Sequence, residues 1–173
     1  MIHLITGGAG SGKSAYAESL IIGFGEGRRI YIATMDPGND PENEARIERH
    51  RAMRAGIGFE TIECLHDLAS VDIPNGSIVL IDCLSNLAAN EMFRADGAGE
   101  KTVEAVTEGL SQVGRKAAHT VIVTNEIFSD GFHYDQMTAT YQEYLGRINR
   151  NAAQMADAVT EVVYGIPVPL KRP

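Results

Sequence analysis

Short apolar runs recur along the chain, each followed by a longer stretch of mixed character. The spacing predicts strands at Ile2–Thr6, Arg29–Ala33, Phe59–Glu63, Ser77–Asp82 and Thr120–Asn125, with closing strands at Ala158–Val163 and Ile166–Leu170. It predicts helices at Ser14–Ile22, Glu42–Ala55, Leu84–Arg94, Lys101–Ala117 and Asp135–Ala156, and a Pro-, Gly-, Asp- and Asn-rich loop at Thr34–Pro41. Ile78–Ile81 and Val121–Val123 are apolar without a break, the pattern of strands covered on both faces. Alternation of such runs with helices predicts an α/β fold, a mostly parallel sheet with helices on both faces.

Composition narrows this reading without redirecting it. The chain has 173 residues, 44% of them apolar and 22% charged, which suits one globular domain spanning 1–173. It shows no internal repeat, low-complexity tract or apolar run of about 20 residues, so no membrane span is expected. Met1–Thr6 does not resemble a signal peptide, and Cys64 and Cys83 form no metal or CxxC pattern; the expected location is the cytoplasm. The net charge of −8 argues against nucleic acid as a partner. Basic residues cluster once, at Arg46, Arg49, Arg51 and Arg54.

In a parallel α/β sheet, ligands sit beyond the carboxyl ends of the strands. That rule selects Gly7–Ser14, Thr34–Asp36, Asp82 and Asn125–Glu126. Gly7, Gly8, Ala9, Gly10, Ser11, Gly12, Lys13 and Ser14 spell an ungapped GxxxxGKS between a strand and a helix. Glycines let the backbone curl so that its N–H groups face phosphate oxygens, and the helix N-terminus adds positive potential. Lys13 is expected on the β- and γ-phosphates of GTP or ATP and Ser14 on Mg²⁺. Asp82 ends its strand as a second Mg²⁺ ligand or, alternatively, as the cap of the following helix. Glu126, at the next strand end, is a candidate to bind metal, to accept a proton from a substrate hydroxyl or to contact substrate, and a non-catalytic role fits the position as well. Thr34 is a further candidate for nucleotide contact.

Glu42–Ala55 lacks an apolar stripe, so it is expected to project or to line a cleft. Arg46, His50 and Arg54 are spaced i, i+4, i+8 and share one helical face. Two guanidinium groups beside an imidazole suit phosphate binding and a neutral, nucleophilic histidine. From the spacing alone, a solvated histidine is the favoured reading.

Taken in order, several segments resemble one family: the bifunctional adenosylcobinamide kinase and adenosylcobinamide-phosphate guanylyltransferase of the cobalamin pathway. They are Ile5–Ser14 with Ala17-Glu18, Tyr31-Ile32-Ala33-Thr34, Glu44-Ala45-Arg46-Ile47 with His50-Arg51, and Asp82-Cys83-Leu84 with Asn90. Val123-Thr124-Asn125-Glu126, Gly146-Arg147-Ile148-Asn149, Ala156-Asp157 and Gly165-Ile166-Pro167 continue the series. The resemblance implies a RecA-like sheet, a homotrimer, a small-molecule corrinoid substrate and two activities. In the first, a nucleoside triphosphate phosphorylates the hydroxyl of the aminopropanol arm of adenosylcobinamide. In the second, GTP guanylylates a histidine, here His50, and GMP passes on to give adenosylcobinamide-GDP, with Arg46 and Arg54 offsetting phosphate charge. The sequence departs from the family pattern within 85–92 and 127–141, where corrinoid and subunit contacts are expected; the phosphate loop and His50 are untouched. Two other readings share the phosphate loop, a different small-molecule kinase and a nucleotide-binding regulatory protein without transfer chemistry. A guanylylated His50 separates both from the first.

Overall fold

A computed structural model describes residues 1–36, 38, 48, 56–129, 131–132 and 134–173. The helix expected at Glu42–Ala55, with Arg46, His50 and Arg54, lies outside the described residues apart from Glu48, as does most of the second half of the loop expected at Thr34–Pro41. The elements in order are β1 (Ile2–Thr6), α1 (Lys13–Gly23), β2 (Arg29–Ala33), β3 (Phe59–Glu63), β4 (Ile78–Asp82), α2 (Leu84–Phe93), α3 (Thr102–Lys116), β5 (His119–Val123), α4 (Gln136–Met155), β6 (Ala158–Val163) and β7 (Ile166–Lys171). One-turn 3₁₀ segments, Leu68–Ser70 and Gly99–Lys101, lie before β4 and before α3.

The seven strands form one sheet in the order β3-β2-β4-β5-β1-β6-β7. Every pairing is parallel except the β6–β7 hairpin at one edge. This is the mostly parallel sheet that the alternating pattern predicts, with β5 inserted between β1 and β4.

Alternate residues of the continuous apolar strands go to opposite faces. Leu4, Ile30, Ile32, Val79, Ile81 and Ile122 pack under α2, α3 and α4, against side chains such as Leu87, Leu110 and Ile148. Ile5, Tyr31, Ile78, Leu80, Val121 and Val123 pack on the other face with Ala17 and Ile21 of α1. Each fully buried Ile or Leu in these layers contributes about 1.5–3 kcal/mol. Two buried faces explain why these strands show no polar alternation.

Most other boundaries fall within one residue of the expected ones, and two shifts have a local cause. β5 ends at Val123 rather than Asn125, because its pairing stops at Ile5 of β1 and at Asp82 of β4. α4 starts at Gln136, and Asp135 is its N-cap, accepting from the N–H groups of Met137 and Thr138 at 2.9 and 3.0 Å. Among the described residues, no helix is long and apolar enough to cross a membrane.

Candidate active site at the carboxyl ends of the strands

The segment from Gly7 to Gly12 leaves β1 and curls into α1, with Gly12 as the N-cap in a left-handed conformation (φ 96°). The curl is sterically tight on its outer side. A Cβ on Gly7 would lie 2.5 Å from the Val162 carbonyl oxygen, and one on Gly12 would lie 3.2 Å from Gly165 Cα. The Gly165 N–H donates to the Ser11 carbonyl at 2.8 Å, so the β6–β7 turn braces the loop from behind. The side toward Gly8 and Gly10 is open, with nothing within 4 Å of a Cβ built on either.

The Lys13 ammonium donates to the Gly8 carbonyl at 2.8 Å and the residue is 7% exposed. A buried cation folded back over its own loop is placed for phosphate oxygens. Ser11 Oγ is buried without a hydrogen-bond partner among the described residues. The open space at Gly8 and Gly10, with the Lys13 ammonium held at the Gly8 carbonyl, fits a phosphate ligand, while the Ser11 hydroxyl lies on the crowded side toward Gly7.

Asp82 sits at the end of β4 in register with Ala33 of β2. Strand alternation puts its side chain on the face of Ile78 and Leu80, the face that α1 covers and from which Ser14 emerges. The Tyr31 hydroxyl donates to Asp82 Oδ2 at 3.1 Å, which orients the carboxylate. Register explains this partner: Tyr31 pairs with Leu80, two residues before the acid on the same face. Asp82 does not cap α2; Cys83 occupies the N-cap, without a side-chain cap bond. Ser14 and Asp82 are hard oxygen donors of the kind that Mg²⁺ takes together with nucleotide phosphates. Groups of three or more His, Cys, Asp or Glu that could cage a metal are absent among the described residues.

Thr34 has a different task from the one expected. It is 0% exposed, and its hydroxyl accepts from the Cys83 N–H at 2.7 Å and donates to the Cys83 carbonyl at 2.9 Å. Asn90 of α2 donates to the Thr34 carbonyl at 2.8 Å. Both capacities of the hydroxyl are used inside the protein, so Thr34 binds the ends of β2 and β4 together rather than reaching outward. The Asp82–Cys83 peptide bond between them is cis.

Beyond Cys83 a polar network crosses to β5 and α4. The Cys83 thiol lies 2.9 Å from Ser85 Oγ, Asn125 Nδ2 donates to Ser85 Oγ at 2.5 Å, and the Tyr141 hydroxyl donates to the Ser85 carbonyl at 3.0 Å. Burial, then the negative charge of Asp82, pushes the Cys83 thiol up. Burial, then Cys83, pushes the Tyr141 phenol up to about 12. Both groups therefore stay neutral near pH 7. Ser85 and Tyr141 fall in the segments that depart from the family pattern, and the fold brings them into contact with each other.

Glu126 follows the end of β5. Its N–H donates to the Gly7 carbonyl at 3.0 Å, fixing it to the start of the phosphate loop. Its Oε1 accepts from Phe128 N and Ser129 Oγ, each at 3.0 Å; Oε2 has no partner among the described residues. Three of the expected site residues, Lys13, Asp82 and Glu126, thus share the carboxyl end of the central sheet. Tyr31, Ser85 and Tyr141 are the members the sequence reading missed. Tyr31 was findable from strand register; Ser85 and Tyr141 carried no motif.

Comparison with known proteins agrees with this arrangement. Residues 3–170 match the family model described as cobinamide kinase / cobinamide phosphate guanyltransferase (CobU). The bifunctional adenosylcobalamin biosynthesis protein CobU of Escherichia coli K12 is 34% identical, over 99% of this chain and 100% of its own length. The CobU protein of Salmonella typhimurium is 32% identical over the same shares. CobP of Pseudomonas aeruginosa, also named a bifunctional adenosylcobalamin biosynthesis protein, is 32% identical over 99% of this chain and 98% of its own. A match from end to end, with the phosphate loop in its structural place, means that the chain belongs to the cobinamide kinase / cobinamide phosphate guanyltransferase family.

Proposed function

We propose that the protein phosphorylates adenosylcobinamide with ATP or GTP and then converts the phosphate to adenosylcobinamide-GDP through a guanylyl-His50 intermediate. The observation that carries this reading is the complete phosphate loop with Glu126 hydrogen-bonded to its first carbonyl, in a chain matched to the family over nearly its whole length.

In the kinase step, the loop N–H groups and Lys13 hold the β- and γ-phosphates, and Arg46 and Arg54 serve the nucleotide in the second step. Glu126 accepts the proton as the substrate hydroxyl oxygen bonds to the γ-phosphorus and the bond to the β-phosphate oxygen breaks, releasing the diphosphate. Ser14 and Asp82 would hold Mg²⁺, which would supply charge neutralisation on the phosphates. In the transferase step, neutral His50 bonds to the α-phosphorus of GTP and pyrophosphate leaves. A phosphate oxygen of the cobinamide phosphate then displaces His50, which regains its free form.

We also infer a cytoplasmic homo-oligomer, a trimer by resemblance. β7 supports an assembly: among the described residues it is an edge of the sheet, and its Ile166, Val168 and Leu170 are all exposed.

Incubation with Mg²⁺ and GTP labelled on the α-phosphate, beside γ-labelled GTP and a His50→Ala variant, tests the reading. The expected result is acid-labile, base-stable label from the α-phosphate only, absent in the variant, together with phosphorylation of adenosylcobinamide. Binding of GTP with neither label nor phosphorylated product refutes it.

A further inference from the structure

A cavity of about 490 Å³ opens beside Glu126, between the segment after β5 and the first turns of α4. Ile127, Tyr134 and Tyr141 give it apolar walls; Ser129, Thr138 and Gln142 add polar points. Its size is that of a small-molecule site, and a few convergent polar groups on apolar walls is the usual character of one. The cavity wall is continuous with the phosphate loop, because Glu126 lines the cavity while its N–H holds the Gly7 carbonyl. The carboxylate is oriented through Oε1 alone, and Oε2 is left for a donor that the described residues do not supply.

The rim of this cavity is aromatic and exposed. Phe132 is 75% exposed and Tyr134 44%, with their ring centroids 6.4 Å apart. On the other side Phe93, at the end of α2, is 51% exposed and lies 6.2 Å from Tyr141, centroid to centroid. Exposed aromatic surface around a cleft marks a binding face. Aromatic surface at the rim and a carboxylate in the lining suit an occupant that combines an apolar body with a hydrogen-bond donor.

We propose that the corrin ring of the substrate lies on the aromatic rim formed by Phe132, Tyr134 and Phe93, and that its hydroxyl-bearing arm enters the cavity to meet Glu126. The inference rests on the proposed kinase reaction and adds the substrate site to it. A corrin macrocycle is too large for the cavity but suited to the rim, whereas the aminopropanol arm fits inside. Seating the arm there brings its hydroxyl to the carboxylate of a residue whose backbone N–H is bonded to the phosphate loop, so the acceptor lies next to the loop that holds the nucleotide. A second copy of the chain is a poorer occupant, because it would bury the Glu126 carboxylate, whereas β7 at the sheet edge offers an apolar strand for that purpose.

The test uses the full-length protein with Phe132→Ser, Tyr134→Ser and Thr138→Trp, the last to fill the cavity. The two serine variants change exposed side chains; α-labelling of His50 by GTP, which needs no corrinoid, together with a thermal melt, reports whether each variant is folded. The expected result is a rise of about two- to tenfold in the KM for adenosylcobinamide per ring removed, with the KM for the nucleotide and the labelling unchanged. Thr138→Trp is expected to stop corrinoid phosphorylation while labelling continues. An unchanged corrinoid KM in both serine variants, with the wild type active, overturns the site and leaves the enzymatic reading standing. A change in oligomeric mass at unchanged KM assigns the rim to a second copy and overturns it too. A wild type that phosphorylates no corrinoid removes the functional reading and the site together.

Discussion

Thr34→Val separates a residue that organises the site from one that touches nucleotide. Valine replaces the hydroxyl with a methyl of nearly the same size, so no cavity forms and the loss is polar. The Cys83 N–H, which donates to the hydroxyl at 2.7 Å, and the Cys83 carbonyl, which accepts from it at 2.9 Å, both lose a partner around a residue that is 0% exposed. A buried donor or acceptor left unsatisfied costs about 1–3 kcal/mol. The carbonyl keeps a second lone pair and loses less, so the variant is expected to be less stable by roughly 2–3 kcal/mol. For a chain of this size that lowers Tm by roughly 4–12 °C. Thr34→Ser keeps the hydroxyl and loses one buried methyl, about 1 kcal/mol. Because Cys83 follows Asp82 directly, the valine variant should also need more Mg²⁺ for half-maximal kinase activity, and the serine variant should not. The assays are urea unfolding of all three proteins and a Mg²⁺ titration of corrinoid phosphorylation. A valine variant as stable as the wild type, with a raised KM for nucleotide instead, would return Thr34 to the nucleotide site and refute the reasoning.

Lys13→Met removes the charge that faces phosphate; loss of charge-assisted hydrogen bonds worth about 1.5–3 kcal/mol should weaken nucleotide binding by tenfold or more in equilibrium dialysis and stop both reactions. Glu126→Gln should lower kcat for corrinoid phosphorylation by about 10²–10⁴-fold while His50 is still labelled by GTP, because only the first reaction uses that proton acceptor. Burial pushes the Cys64 thiol up to about 11 and raises that of Cys83, so neither should be alkylated by iodoacetamide in the native protein near pH 8, whereas both react in urea. The hydroxyl and N–H of Thr138, then the N–H of Met137, hold the Asp135 carboxyl below its ordinary value of 3.8. A carboxyl lowered by folding stabilises the fold fully above its unfolded value and progressively less as the pH falls through the folded one. The stability difference between the wild type and Asp135→Asn should therefore shrink as the pH drops below about 4, as urea midpoints would show.

The legible parts of this protein are those whose cause is local. The phosphate loop could be read because a strand, a run of glycines, a lysine and a helix follow one another without interruption, and the loop's chemistry needs only that order. The strand bounds of β1, β2 and β3 match the expected ones because apolar runs and turn residues delimit each of them in sequence. What joins the strand ends is contact at a distance. Thr34 meets Cys83 across 49 residues, Asn125 meets Ser85 across 40, and Tyr141 meets Ser85 across 56. None of these side chains announces its partner, because serine, threonine and tyrosine at such positions are equally at home in turns and on helix faces.

Thr34 shows where the rule for finding ligands reaches its limit. The carboxyl end of a parallel strand is where a ligand binds, but it is also where the backbone leaves the ladder and needs new partners. A polar residue there can serve either need, and position in sequence is the same for both. Lys13 and Thr34 are each buried at such an end, yet they differ in what surrounds them. Lys13 holds the carbonyl of Gly8, where the loop borders open space, whereas the Thr34 hydroxyl both donates to and accepts from one buried residue. Open space beside the polar group, rather than place along a strand, distinguishes the residue that awaits a ligand from the one that holds the frame. By the same criterion Glu126, which lines an open cavity and whose Oε2 has no partner among the described residues, belongs with the ligand-facing set.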